Sequence, residues 1–505
     1  MPRAGFNTGP EHHGMVAMMI LFVNKCKSSL HEKQDGGNLI TDLLWGDRVT
    51  VLREDGENAW CQARGRKGWM KKADLGDKGV LEIYIIDVGQ GDSILIRTPD
   101  DKWHMIDAGI ENEAQPLPKK GAANFLRWKF QDDLDTNTVT LENVILTHPD
   151  YDHFGGLINV FTGSLGDGRK FPVVVNNFYH SGVGKFKADP KTGKTISGKS
   201  RPFPQGNHGI QQKGTFITEL FDGKDSFGNP SRELEKMFAR FAPLVSSFPN
   251  NVRNLSHKVP FLPGYGPGEN DVTIRVLAPI MEPTESGEEG LRDYGDDGPT
   301  VNGNSVVLRL DYGNARILLT GDLNARSERL LLSYVDETEL AADVMKASHH
   351  GADDVDYDFL RAVKARATVI SSGDNESYTH PRPLVMGAIG RYGRCALSRK
   401  GETYPTLIYS TEVARSVKQD HASGVRMREQ GEPNDKFRNI GLSDTSVTAE
   451  PWGGKYHPLT EVNIATDLIY GLVNIRTDGR LILCATMKET GKSFDYYAFQ
   501  AGVDT

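Results

Sequence analysis

Asn143-Val-Ile-Leu-Thr-His148-Pro-Asp150-Tyr-Asp152-His153-Phe-Gly-Gly156 is the stretch on which the reading of this chain turns. Val144, Ile145, Leu146 and Thr147 are apolar or β-branched and make a short buried strand that ends at a loop. That loop carries four side chains able to hold a metal, His148, Asp150, Asp152 and His153, within six positions. A loop at the end of a rigid strand can aim alternate side chains at one point. Imidazole and carboxylate together suit zinc, or manganese as the oxygen share rises. A lone His or Asp reads as a solvated turn, but four in this pattern do not. Gly155 and Gly156 then follow, where a backbone must come close. The pattern Phe154, Leu157, Ile158, Phe161 continues as a helix, so the motif has strand, ligand loop and helix in order.

With 505 residues, the chain is expected to hold two or three units. An apolar share of 38% describes an ordinary globular protein, and 54 glycines fit a β-rich chain with many tight turns. A formal charge of -8 gives no global pull toward nucleic acid or anionic membranes. Cys26, Cys61, Cys395 and Cys484 are scattered without a CxxC pair, which argues against a disulfide framework or zinc knuckle. A reducing, cytoplasmic compartment is the simpler expectation. The apolar run Met15–Val23 is far shorter than the ~20 residues of a membrane helix, so it reads as a strand and no membrane span is expected.

Taken in order, three units are expected. Residues 15–77 form a small all-β unit, with Val49–Leu52, Ala59–Ala63 and Gly68–Met70 as strands. Its series Trp45-Gly-Asp-Arg-Val-Thr-Val-Leu52, Ala59-Trp60 and Lys67-Gly-Trp69-Met resembles bacterial SH3-like domains. That resemblance implies a peptide, protein or cell-wall partner; the simpler role for Trp60 and Trp69 is the core of a small barrel. Gly76–Gly79 reads as a hinge, so a chain starting near Gly79 is expected to fold and act by itself. Residues 79–410 alternate strands with helices and place special residues at strand ends, which indicates a layered α/β sandwich. An irregular insertion spans about 163–270. Its basic residues Lys185, Lys187, Lys191, Lys194, Lys199 and Arg201 form a stretch able to meet a phosphate backbone. Residues 411–505 form an extension with one good hairpin around Thr477-Asp-Gly479, which completes the sheet or stands as an addition.

The body carries Asp87-Val-Gly-Gln-Gly-Asp92-Ser, Ile106-Asp107-Ala-Gly, His148-x-Asp150-x-Asp152-His153, Asn302-x-x-Ser305, Leu319-Thr-Gly-Asp322, Ser348-His-His-Gly351 and Ser372-Gly-x-Asn375-x-x-x-x-His380-Pro. In this order they resemble the metallo-β-lactamase-fold hydrolase domain of ComEC-type DNA-uptake proteins, over roughly Leu81 to Tyr409. The resemblance implies an αββα sandwich with two divalent metals, zinc first and manganese second. It assigns His148 and Asp150 to one metal, Asp152 and His153 to the other, and Asp322 as the bridge between them. His349 or His350 is the late histidine, with His349 favoured. The family's histidine between these motifs is missing, and Asn302 or Asn304 stands near its place.

Asp150, Asp152 and His380 are the candidate catalytic residues, with His380 placed to protonate a leaving oxygen or bind substrate. Asp107 and Asp87 are expected behind the ligands, orienting them. Asn302, Asn304, Asn375, Tyr378, Lys185, Lys187 and Arg201 are the candidate substrate contacts. The expected activity is that of a phosphodiesterase or nuclease, since two metals with acidic ligands favour phosphoryl chemistry. The alternatives are hydrolysis of a small ester, lactone or cell-wall phosphoester, and a non-catalytic binding or sensor role.

Overall fold

The computed structural model describes residues 19–502 except 90, 115–120, 189–214, 285–286, 374–379, 412–423, 428–437, 443–446, 450–456, 460–471 and 488–493. Its body is a sandwich of two sheets. The first has nine strands in the order Asn251–Asn254, Val173–His180, Val139–Leu146, Trp103–Ala108, Ser93–Arg97, Leu81–Ile85, Val473–Thr477, Leu481–Met487 and Phe494–Gln500. The second has six, in the order Val272–Ala278, Val307–Tyr312, Ala315–Leu319, Val344–Lys346, Ala367–Ile370 and Leu407–Ser410.

Successive side chains of a strand point to opposite faces, and both faces of these sheets are covered. Ile83, Ile85, Ile94, Ile96, Ile106 and Ile145 of the first sheet meet Leu308, Leu310, Ile317, Leu319 and Val369 of the second in the sandwich interior. Their neighbours Tyr84, Leu95, Met105 and Val144 face outward and pack with Phe154, Leu157 and Phe161 of helix Tyr151–Thr162 and with Phe238 and Phe241 of helix Phe238–Ser247. On the far side Leu318 and Met345 meet Leu330, Leu331, Phe359, Val363 and Ile389 of three more helices. The layers are therefore helix, sheet, sheet, helix. Among the described residues, no helix is long and apolar enough to cross a membrane.

The N-terminal unit is a curled antiparallel sheet of seven strands, from Met19–Val23 to Leu75–Gly76. Val23, Leu30, Leu43, Val49, Val51, Ala59, Cys61 and Met70 fill it. Trp60 and Trp69 are not its core. Both are half-buried and lie ring against ring on the outer side, with centroids 5.5 Å apart. Alternation explains this, because Ala59, Cys61, Ala63 and Met70 take the inward positions of the same two strands.

The seam between this unit and the body runs against the expected hinge. Leu44, Trp45 and Val80 share one apolar cluster with Leu481 and Leu483 of the C-terminal hairpin and Phe494 of the strand that follows it. Beside it Arg476, fully buried, pairs with Asp47 at 2.8 Å, donates to the Trp45 carbonyl at 2.8 Å and faces Glu82 at 3.7 Å. Arg64 pairs with Asp47 at 2.7 Å, and its backbone N–H donates to Asp133 at 2.7 Å. These charges hold the Asp47 carboxyl well below its usual range against the opposing effect of burial. The hairpin itself extends the main sheet, with Val473–Thr477 paired antiparallel to Leu81–Ile85.

Arg476→Met should therefore cost about 1–3 kcal/mol, because it takes from buried Asp47 and Glu82 their common partner and leaves them Arg64 and Arg97 alone. Urea denaturation measures this, and a midpoint equal to wild type would refute the welded seam. A chain starting at Gly79 should be insoluble or strongly destabilised for the same reason.

Candidate metal centre

The site forms where strand ends of both sheets meet. Strand Val139–Leu146 delivers Thr147, His148 and Asp150, and Asp150 opens the helix Tyr151–Thr162 that carries Asp152 and His153 on its first turn. That helix can sit this close only because glycines stand at its contacts, one on the helix and one on the turn it meets. A Cβ on Gly156 would stand 2.0 Å from the Ala108 carbonyl oxygen, and one on Gly91 would stand 1.8 Å from that of Asp152. From the second sheet, strand Ala315–Leu319 ends in Thr320-Gly321 and Asp322, with Gly321 left-handed at φ 54°. Strand Val344–Lys346 runs into Ser348-His349-His350-Gly351, where φ is 46°, 53° and 80° for the last three. Left-handed backbone at a histidine costs on the order of 1–3 kcal/mol per residue and persists only where surroundings enforce it. Here Ser348 Oγ donates to Glu328 at 2.8 Å, and His349 N donates to the Gly321 carbonyl at 3.2 Å.

Asp322 Oδ2 is the centre of the arrangement. His350 Nε2 lies 3.1 Å from it, His153 Nε2 3.2 Å and His148 Nε2 4.0 Å. Asp150 Oδ2 is 3.7 Å from His148 Nε2, and Asp152 Oδ2 is 3.7 Å from His350 Nε2. All three histidines are buried, and none of the three Nε2 atoms has a hydrogen-bond partner. Their opposite nitrogens are all tied. His153 Nδ1 bonds Asp107 at 2.8 Å, His350 Nδ1 donates to the Ser371 carbonyl at 3.0 Å, and His148 Nδ1 meets Thr147 Oγ1 at 3.0 Å and Ser305 Oγ at 3.2 Å. The network thus holds a proton on each Nδ1 and turns the three Nε2 atoms inward, where a metal ion would displace any proton they carry.

Buried nitrogens without partners are costly, and a cation answers that cost. His148, His153 and Asp322 bring ligand atoms within 4.8 Å of one another, as do Asp152, His153 and His350. The residues present therefore fit divalent metal, with His148, Asp150 and Asp322 on one side and Asp152, His153, His350 and Asp322 on the other. The field points the same way. Burial would lower the pKa of His350, yet Asp322 and Asp92 raise it to about 10. His153 is raised likewise, against burial, by Asp322 and Asp107. Both shifts have one cause, a concentration of carboxylate charge that favours positive charge at this point.

Asp107 lies behind the histidines of the cage. It is wholly buried and accepts from Thr147 N at 2.8 Å and Thr147 Oγ1 at 2.6 Å besides holding His153. Asp87 accepts from Gly89 N at 3.2 Å and shapes the neighbouring turn. The preference for His349 gives way to His350. His349 stands outside the cage, with Nε2 3.3 Å from Asn302 Nδ2 and its ring 5.7 Å from that of His380. Consecutive left-handed residues splay neighbouring side chains apart, so only one of the two enters.

Asn304 is buried and spends its amide on the carbonyls of Arg292 and Thr300, which makes it a brace for its loop and not a substrate contact. Lys185 reaches the cage and ion-pairs with Asp150 Oδ1, while Lys187 is exposed and paired with Glu233 at 2.9 Å. Arg201, Asn375 and Tyr378 lie outside the described residues. Lys346 carries no signal in the sequence, being one lysine in a strand, and Asp92 stands out there only through the motif Asp87–Ser93.

His350→Ala should lose at least one equivalent of Zn²⁺ or Mn²⁺ in equilibrium dialysis with metal analysis, and Asp322→Ala should lose both. His349→Ala should keep full metal content. The reverse pattern for the two histidines would overturn the geometry.

Residues 86–162 match the family model of the metallo-beta-lactamase superfamily. The chain is 30% identical over 97 residues to ComE operon protein 3 of Bacillus subtilis (strain 168), covering 19% of this chain and 12% of that protein. It is 36% identical over 93 residues to Competence protein ComA of Neisseria gonorrhoeae, covering 18% and 13%. It thus spans about an eighth of the length of these relatives. Among solved structures, that of Tm1679, a metal-dependent hydrolase of the beta-lactamase superfamily, aligns over 65% of this chain and 95% of that one, at 11% identity and a TM-score of 0.31.

Proposed function

From the premise of a metallo-β-lactamase fold, we propose that this chain is a metal-dependent hydrolase of phosphodiesters, with nucleic acid as the substrate class. The observation that carries the reading is the trio of unpartnered Nε2 atoms around Asp322 Oδ2. The likeness to competence proteins supports nucleic acid, and the carboxylate share of the cage supports phosphoryl chemistry. When bound, a pair of divalent cations, zinc or manganese, supplies Lewis acidity for water activation and charge neutralisation at a phosphoryl oxygen.

The chain's own residues do the rest. Asp107 keeps His153 in one orientation and tautomer. Asp150 and Asp152 face the reacting centre from the two sides of the motif loop. Lys185 stands at the rim, its side chain 22% exposed, on a segment pinned by buried Phe186 and by backbone bonds of Lys185 and Lys187 to Glu235 and Glu233. It is thus an aimed cation, able to exchange Asp150 for an anionic substrate oxygen. His380, 7% exposed beside the rings of His349 and His350, is pushed down to about 4 by burial and by those neighbours. A neutral imidazole can donate its N–H to a substrate oxygen but is not the protonated acid that a leaving oxygen would need, so His380 serves as a substrate contact.

Turnover of bis-p-nitrophenyl phosphate with Zn²⁺ or Mn²⁺, set against p-nitrophenyl acetate, tests the reaction class. Phosphodiester turnover that vanishes in Asp322→Ala supports it; ester turnover alone defeats it. Lys185→Ala should lower kcat/KM for the phosphodiester about 10- to 100-fold, the value of one charged hydrogen bond, and spare the neutral ester. On DNA the same change should reduce the slope of log affinity against log salt by about one phosphate contact. Equal losses on both small substrates would make Lys185 a wall of the pocket.

A further inference from the structure

Two carboxylates of the site share one ammonium. Lys346 is 1% exposed and sits in mid-sheet on strand Val344–Lys346. Its Nζ donates to the Gly321 carbonyl at 2.9 Å, faces Asp322 Oδ1 at 3.5 Å and ion-pairs with Asp92 Oδ2. Asp92, also 1% exposed, comes from the opposite sheet, in the turn between Leu81–Ile85 and Ser93–Arg97. Its other oxygen lies 3.3 Å from His350 Nδ1.

By proximity alone Asp92 would be a ligand, since it groups within 4.8 Å with Asp322 and His350. The atoms say otherwise. Asp92 meets His350 on Nδ1, the nitrogen that donates to Ser371, while Nε2 turns to Asp322. Asp322 is divided too, with Oδ2 toward the imidazoles and Oδ1 toward the ammonium. An ammonium beside a carboxylate drains its power to hold a second cation, and in a buried site that effect is little screened. Asp92, the closer anion, takes most of the ammonium's charge.

We propose that Lys346 is a built-in cation that sets how strongly Asp322 binds metal, and that Asp92 acts on the centre through Lys346 and not as a ligand. Both are positioning residues. The inference rests on the reading of the cage as a divalent-metal site. Removing the charge of Asp92 leaves Lys346 to act on Asp322 alone and weakens metal binding. Removing Lys346 leaves Asp322 unopposed and strengthens it, at the expense of the metal-free fold.

The test is titration calorimetry of the full-length protein with Zn²⁺ and Mn²⁺, together with absorption spectra of the Co²⁺-substituted form. Asp92→Asn should weaken binding about tenfold, the scale of an outer partner of a metal ligand, while the Co²⁺ spectrum stays that of wild type. Lys346→Met should tighten binding by a similar factor and lower the metal-free melting temperature, and Asp92→Asn added to it should weaken binding less than it does in wild type, by what its contact with His350 Nδ1 contributes. Unaltered affinity in Asp92→Asn overturns the proposal, and this variant decides the matter even if Lys346→Met does not fold. A changed Co²⁺ spectrum in Asp92→Asn also overturns it, because Asp92 then ligates. Wild-type protein that binds none of the ions defeats the metal reading itself.

Discussion

The carboxylate of Asp322 is the group around which this structure has to be arranged. It is 2% exposed, and isolated burial of such an anion costs several kcal/mol. Three imidazoles stand on its inner oxygen and a lysine on its outer one. The neighbours of those groups are then constrained as well. Asp107 answers His153, Asp92 answers Lys346, and the Ser371 carbonyl answers His350. Each partner comes from a different strand end, and the set draws on both sheets. The polar centre therefore closes the open end of the sandwich in the same contacts that make it a cage for cations. Two further ties follow that line: Ser371 Oγ donates to the Gly91 carbonyl at 2.9 Å, and Val306 N to the Thr147 carbonyl at 2.9 Å.

This arrangement is built on unfavourable backbone. Asp107, His349 and His350 all hold positive φ, and Asp107 does so at a register shift between its strand and Ser93–Arg97. Residues without a glycine's freedom keep such angles only where packing and hydrogen bonds outweigh the strain. The body supplies that rigidity through apolar layers on both faces of both sheets. A lone loop of the same sequence would not present His350 and withhold His349.

Rigidity of the body in turn depends on parts far away in the chain. The hairpin Val473–Thr477 and Leu481–Met487 lies almost 400 residues beyond Leu81–Ile85, yet it is that strand's neighbour. Arg476 carries the contact onward to Asp47 of the N-terminal sheet. One guanidinium thus fastens three segments, and the candidate metal centre is supported by a frame that draws on the N-terminal sheet and the C-terminal hairpin.

The sequence alone determined the ligand loop of the candidate site and the layered body. His148, Asp150, Asp152 and His153 lie within one strand–loop–helix unit, where spacing controls geometry directly, and Gly156 had to be small because the helix rests on its neighbour's backbone. The strand and helix periods that mark the sandwich are likewise local, since Ile83, Ile85, Ile94 and Ile96 alternate with outward residues whatever else the chain does. Tertiary structure decided what depends on direction and on distant partners. The choice of His350 over His349 rests on φ angles that no spacing encodes. The same holds for the outward turn of Trp60 and Trp69, for Asn304 as a brace, and for Lys185 rather than Lys187 at the cage. The hairpin's place in the sheet and the role of Lys346 were beyond local reading for one reason. A buried charge has meaning only through the counter-charge that folding brings beside it, and for Lys346 that partner, Asp92, is supplied by the other sheet.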